Sequence, residues 1–324
     1  MSKQIDRRNF VKRSLLASAA TGSVFSFEEQ SLLAAGQKAT SPTEASVNGL
    51  PAGKIKGVTI SRIICGGNLI GGYAHSRDLI YVSTLLKQYF TEEKIFDTLE
   101  ICEENGINTI ITNTRSAPLL KKYWTQRGGE IQWISQCVPQ DDTPLDDVNK
   151  AIDGGATGAF VIGNIGDKWS RAGRVDLIGK VVDHVNKNGI ISGVGGHNLR
   201  TPMSCEKAGL EPDFFMKTFH SPNYWSGRKP EQTKDVIDNY AIDNYWDKYP
   251  DKTKEFMQTV KRPWIAYKVL AAGAIHPSQG FKFAFENGAD FACVGMFDFQ
   301  VREDAVIAKN VLTGKLARER QWMA

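Results

Sequence analysis

The chain has 324 residues, 41% hydrophobic and 23% charged, enough to bury a sizeable core in one large domain or two smaller ones. Its formal charge of +4 falls to about +2 once the first 35 residues, with five basic and three acidic side chains, are set aside; no basic run interleaved with aromatics appears, so nucleic acid is not an expected partner. The five cysteines, Cys65, Cys102, Cys137, Cys205 and Cys293, include no CxxC pair, which excludes the usual zinc-finger spacings and makes most of them small buried residues.

In chain order, "DRRNFVKRS" (6–14) sets paired arginines and a Phe before the weakly apolar run "LLASAATGSVFSF", the order of a twin-arginine export signal over residues 1–35. The apolar run is short and broken by Gly22, Ser23 and Ser26, so no membrane span is expected in the mature chain. A periplasmic or secreted location follows as an expectation. Residues 36–53, rich in Ser, Thr, Ala, Gly and Pro, read as a linker, with a barrel domain expected over 54–324.

From there, apolar runs alternate with amphipathic stretches through eight rounds. The expected strands are 58–66, 107–112, 131–138, 158–163, 190–196, 214–220, 264–270 and 291–297. Between the first two, "TEEKIFDTLEICEENG" offers Thr91 as a cap, Glu92 and Glu93 for the helix dipole, and Gly106 as a stop. Near-continuous apolar strands alternating with helices imply a parallel sheet, and eight repeats fit an α/β fold of the closed (β/α)8 TIM-barrel type. The glycines of "CGGNLIGGYAHS" lie at the wrong intervals for a dinucleotide-binding turn. Two long connections, Asn68–Phe90 and Ser221–Pro250, follow strands and so lie at the rim where barrels keep their active sites. Their aromatics, Tyr73, Tyr81, Tyr89, Phe90, Tyr224, Trp225, Tyr240, Tyr245, Trp246 and Tyr249, either stack on sugar rings or anchor the loops.

The pieces "ISRIICGGNLIGG", "EENGINTIITNT", "ISGVGGHN", "VLAAGAI", "NGADFACVGM" and "VREDAVIAKNVL" come in the order found in the aldo/keto reductase superfamily, which residues 55–315 resemble. The resemblance implies that fold, NADP as cofactor and an Asp, Tyr, Lys and His that carry carbonyl reduction. Matched by position, these become Ile111, a residue near Ser116, Gln136, and Gly163 or Asn164, so the family's acid is missing. NADP is therefore less expected, although a displaced tetrad stays open.

Residues at strand ends point to what remains: Asn68, Asn113, Gln136, Cys137, His197, His220 and Lys268, with His75, Tyr224 and Trp225 in the rim loops. Converging amides suit a small, polar, sugar-like substrate. His197 and His220 close neighbouring strands, where they either act on the substrate, one of them as a base, or bind a divalent Zn or Mn ion. Lys268, in an otherwise apolar strand, suits proton abstraction or a Schiff base; Lys217 competes with it, but alternation puts Lys217 out of phase with His220. Cys137 lacks a visible base. Expected, then, is an exported lyase, isomerase or epimerase acting on a carbohydrate or keto sugar, with Lys268, His197 and His220 as catalytic candidates. The alternatives are an NADP-dependent reductase-like enzyme with a substitute acid and a non-catalytic sugar-binding barrel.

Overall fold

Two tight turns shape the entry to the barrel. The computed structural model describes residues 45–74, 79–233 and 247–324; the expected signal, the first part of the linker, and His75, Tyr240, Tyr245 and Trp246 lie outside them. Strands β1 (Ser46–Val47), β2 (Leu50–Ile55) and β3 (Val58–Ser61) pair antiparallel. Asn48 and Gly49 have φ of 44° and 79°, and Lys56 and Gly57 have 50° and 79°, the doubly positive pattern that suits the twist of a two-residue hairpin. Residues 46–53 thus belong to a hairpin where a linker was expected, because the turn chemistry of Asn48-Gly49 outweighs the small, polar composition around it. Ile55 and Ile60 of this hairpin join Ile64, Ile111 and Ile191 in one apolar cluster and close the N-terminal end of the barrel.

The run expected as one strand over 58–66 is two. Arg62 divides it, donating to the carbonyls of Asp290 and Ala324 with its guanidinium 4.2 Å from the Trp322 ring. The barrel then runs through β4 (Ile63–Gly66), β5 (Thr109–Asn113), β6 (Gln132–Cys137), β7 (Gly158–Val161), β8 (Ile191–Gly196), β9 (Phe214–Thr218), β10 (Trp264–Tyr267) and β11 (Phe291–Val294), all parallel, with β11 pairing back to β4. Strand alternation divides the side chains. Ile64, Ile111, Ile134, Phe160, Phe214, Met216, Ile265 and Phe291 fill the interior. Cys65, Trp133, Cys137, Val194, Phe215 and Ala266 face the helices.

The helical layer comprises α1 (Gly67–Ile70), α2 (Val82–Tyr89), α3 (Glu92–Glu104), α4 (Ala117–Gln126), α5 (Asp146–Asp153), α6 (Gly163–Arg171), α7 (Val175–Lys187), α8 (Arg200–Lys207), α9 (Pro250–Thr259), α10 (Pro277–Glu286) and α11 (Asp298–Thr313). Thr91 caps α3, its hydroxyl accepting from the Lys94 amide at 3.2 Å. No described helix is long and apolar enough to cross a membrane.

The floor is locked by charge. Buried Asp290 accepts from Arg320 at 2.6 Å, Arg318 at 3.2 Å and the amides of Trp264 and Met323, so the C-terminal residues are fastened beneath the barrel. Burial pulls the Arg62 and Arg318 guanidiniums down to about 10, against the raising influence of Asp290. Asp290→Asn leaves two guanidiniums buried with their counter-charge gone and is expected to lower unfolding free energy by about 3–5 kcal/mol in urea titration. A loss under about 1 kcal/mol would assign closure of the floor to the apolar contacts instead.

Candidate active site

At the opposite rim the arrangement is built on α6. Its inner face carries Gly163, Gly166, Asp167 and Ser170, small or short residues at helical spacing, all buried. A Cβ on Gly166 would stand 2.1 Å from the Gly195 carbonyl oxygen, so the helix crosses the end of β8 closer than any larger residue permits. That approach brings the Asp167 carboxylate to the first residues beyond the strand. Its Oδ2 accepts from the His197 amide at 2.9 Å and from His197 Nδ1 at 3.0 Å; its Oδ1 accepts from the Asn198 amide at 3.0 Å and the Thr201 hydroxyl at 2.8 Å.

A carboxylate in this setting only accepts, so the imidazole proton belongs on Nδ1 and the lone pair on Nε2. Burial is the main influence lowering the His197 pKa; hydrogen bonding to Asp167 opposes it, and the positive charges of Lys268 and Lys217 reinforce it. His197 is thus a neutral base at neutral pH, with 13% of its side chain accessible.

Tyr267 stands against it, the rings crossing at 61° with centroids 5.3 Å apart. Burial first, then the Asp167 charge, raises the phenol's pKa far above its ordinary value, so it remains a neutral donor; Thr218 nearby pulls the other way. The phenolic oxygen is buried and makes no hydrogen bond of good geometry with a described residue. A Cβ on Gly163 would lie 2.7 Å from that oxygen and 2.8 Å from His197 Cε1. The absence of a side chain at Gly163 therefore leaves room for His197 and Tyr267 from other strands.

Lys268 follows directly, half-buried, with φ of 58°. A non-glycine residue in the left-handed region stores strain, and Ala271 and Ala272 repeat it at 46° and 54° in the same loop. Across the mouth, the ends of β4, β5 and β6 supply amides: Gln136 Nε2 lies 3.5 Å from Asn68 Oδ1, and the Asn113 side-chain oxygen accepts from the Arg115 amide, leaving its NH2 group to offer.

Other expected residues have different duties. His220 is buried, its Nδ1 donating to the Ser221 carbonyl at 2.9 Å and its Nε2 accepting from the Asp247 amide at 2.7 Å. Both of its nitrogens are thus engaged by backbone, an arrangement that pins the second rim loop and leaves no imidazole lone pair of His220 directed to the site beside His197. Lys217 lies outside the barrel wall, donating to Asp247 at 3.3 Å and to the Thr218 carbonyl at 2.7 Å. Cys137 is buried on the helix side, where burial pushes its thiol up to about 12, so it is not a poised nucleophile. Tyr224 packs edge-on to His220 at 5.4 Å, Trp225 is exposed, and His75 lies outside the described residues. Among the described residues no cluster of three His, Cys, Asp or Glu suits a metal ion.

Three residues of the site were not picked out from the sequence. Tyr267 shares the inward phase of Ile265, a signal that strand alternation offered. Thr218 shares that of Met216. Asp167 gave no such signal, since it reaches the site from a helix.

No protein-family model matches the sequence, and no curated protein does. Solved structures do. A Pseudomonas aeruginosa protein assigned to the aldo-keto reductases is 15% identical, with a TM-score of 0.51 over 83% of this chain and 98% of its own. The N-acetylmannosamine-6-phosphate 2-epimerase of Clostridium perfringens is 16% identical, with a TM-score of 0.42 over 74% and 89%. A phospho-2-dehydro-3-deoxyheptonate aldolase of Thermotoga maritima is 11% identical, with a TM-score of 0.46 over 81% and 73%. At these identities the likeness establishes the fold, a divergent (β/α)8 barrel, and nothing about chemistry.

The His197 environment predicts a pH dependence. Its folded pKa lies below the unfolded value of about 6.5, so between the two the unfolded chain binds more protons, and stability falls as pH drops through that window. His197→Gln is expected to flatten the stability curve below about pH 6.5 relative to the parent, measured by denaturant unfolding at several pH values. Parallel curves for the two proteins would show the imidazole to be unperturbed.

Proposed function

We propose that the chain is a carbohydrate-directed barrel enzyme that removes a proton from the carbon next to a carbonyl, in the manner of a lyase, isomerase or epimerase. The observation that carries this is the neutral His197, oriented by buried Asp167, beside the protonated Tyr267 hydroxyl. His197 Nε2 takes the carbon-bound proton. The electron pair left behind forms a carbon–carbon double bond while the carbonyl pair moves to oxygen, and Tyr267 donates to that oxyanion. Lys268 contributes positive charge close enough to be felt by His197. Asn68, Asn113 and Gln136 suit the hydroxyls of a sugar-like substrate. The P. aeruginosa protein supports an enzyme-type barrel only through its fold.

A second reading has an observation in its favour: Asp167, Tyr267, Lys268 and His197 are the four residue types of the reductase tetrad, gathered from a helix and the ends of two strands. The residues present do not fit a nucleotide cofactor well, for the loop after β10 offers Ala271, Ala272, Gly273 and Ala274, without the Arg or Ser that would hold a phosphate. Saturable quenching of tryptophan fluorescence by NADPH would favour this reading over proton abstraction.

Export through the twin-arginine route is proposed from "DRRNFVKRS". Arg7→Lys with Arg8→Lys is expected to keep the protein inside the cell on fractionation, and unchanged export of the double variant would discard the signal.

For the chemistry, NMR in deuterated water across keto sugars and simple ketones is expected to show solvent deuterium entering next to a carbonyl. His197→Asn and Tyr267→Phe should each slow this by about 10²–10⁴-fold without loss of fold by circular dichroism. No exchange into any compound would end the proposal.

A further inference from the structure

Beside the Tyr267 hydroxyl stands a second buried hydroxyl, that of Thr218, which the chemistry above does not use. The last positions paired between β8 and β9 are Gly196 and Lys217, so His197 and Thr218 leave the sheet side by side. Thr218 is in turn paired with Tyr267 of β10. Thr218 is 0% exposed and follows the inward phase of Phe214 and Met216. Neither Thr218 Oγ1 nor the Tyr267 hydroxyl makes a hydrogen bond of good geometry with a described residue, although the two lie close enough for Thr218 to act on the phenol as a hydrogen-bonding neighbour. Leaving a buried hydroxyl unmet is costly, and folded proteins nearly always satisfy such groups with protein, water or ligand. Two on paired strand positions, beside the His197 ring, mark where a ligand with two neighbouring oxygens would be met.

We propose that Thr218 and Tyr267 together hold the carbonyl oxygen and the hydroxyl of the adjacent carbon, so that the substrate is an α-hydroxy carbonyl compound and the intermediate a cis-enediolate. The inference rests on the proton-abstraction chemistry proposed above. His197 Nε2 takes the proton from the hydroxyl-bearing carbon, the C–H pair becomes the C=C bond, and the carbonyl π pair moves to oxygen, where Tyr267 stabilises it. Thr218 accepts from the neighbouring hydroxyl. Returning the proton to the former carbonyl carbon, while the hydroxyl proton passes to the other oxygen, completes a 1,2-shift. Returning it to the first carbon inverts or restores that centre. Either way no oxidant, reductant or second substrate is needed.

The test compares deuterium exchange from solvent into dihydroxyacetone, hydroxyacetone and butanone by the full chain, corrected for the uncatalysed rates. The expected result is a preference of at least about tenfold in kcat/KM for the two hydroxylated ketones. Thr218→Val should lower kcat/KM for the two hydroxylated ketones by at least about tenfold and so abolish that preference, and Thr218→Ser should restore it, with melting curves confirming that both variants fold. Butanone exchanged as fast as hydroxyacetone by the parent protein, or a preference unchanged in Thr218→Val, would overturn the assignment and leave the base intact. Exchange into none of the three would remove the proton-abstraction chemistry itself and this assignment with it.

Discussion

The Asp167 carboxylate is the constraint on which the rim depends. Buried between α6 and the turn after β8, it accepts two backbone amides, a hydroxyl and an imidazole N–H, so one side chain fixes the exit of a strand, the start of α8 and the orientation of His197. A buried carboxylate without such partners would cost several kcal/mol or take up a proton. Gly163 and Gly166 make the contact feasible by letting the helix backbone lie against β8, and Gly163 also opens the space that His197 and Tyr267 fill. Orientation, tautomer and basicity of the imidazole thus follow from packing as much as from charge.

The molecule separates its two ends by the kind of charge each buries. Beneath the barrel, Asp290 is surrounded by Arg318 and Arg320, whose donors go to carboxylate and carbonyl oxygens, an arrangement that fastens chain to chain. At the rim, Lys217 and Asp247 form a second buried pair, and Asp247 reaches His220 through its backbone, anchoring the loop that follows β9. Between these anchors stand hydroxyls that the fold leaves unmet. A (β/α)8 barrel commonly divides stability from chemistry in this way.

Much of the fold was legible in the sequence because alternation with period two and capped helices of period 3.6 are local signals. Thr91 and the Gly106 stop sit where the residues asked for them. The hairpin before the barrel is hidden in the sequence because its composition is that of a linker and only the Asn48-Gly49 turn marks it. Within the site, His197 and Lys268 were named from strand ends, but their partners follow from three-dimensional proximity. Asp167 is contributed by a helix and looks, in one dimension, like any acidic residue among "GNIGDKWSR". His220 illustrates the converse: its strand-end position suggested chemistry, yet a backbone amide 27 residues further on claims its lone pair.

The central claim is that burial keeps His197 neutral while Asp167 fixes its tautomer, with the proton on Nδ1 and the lone pair on Nε2. Nitrogen-15 NMR of histidine-labelled protein at neutral pH, with the His197 signal assigned by its loss in a substituted variant, measures this directly. A proton-bearing Nδ1 and a pyridine-like Nε2 are predicted, giving way to mixed tautomers in Asp167→Asn. A doubly protonated ring at pH 7, or a proton resident on Nε2 in the parent protein, would contradict it.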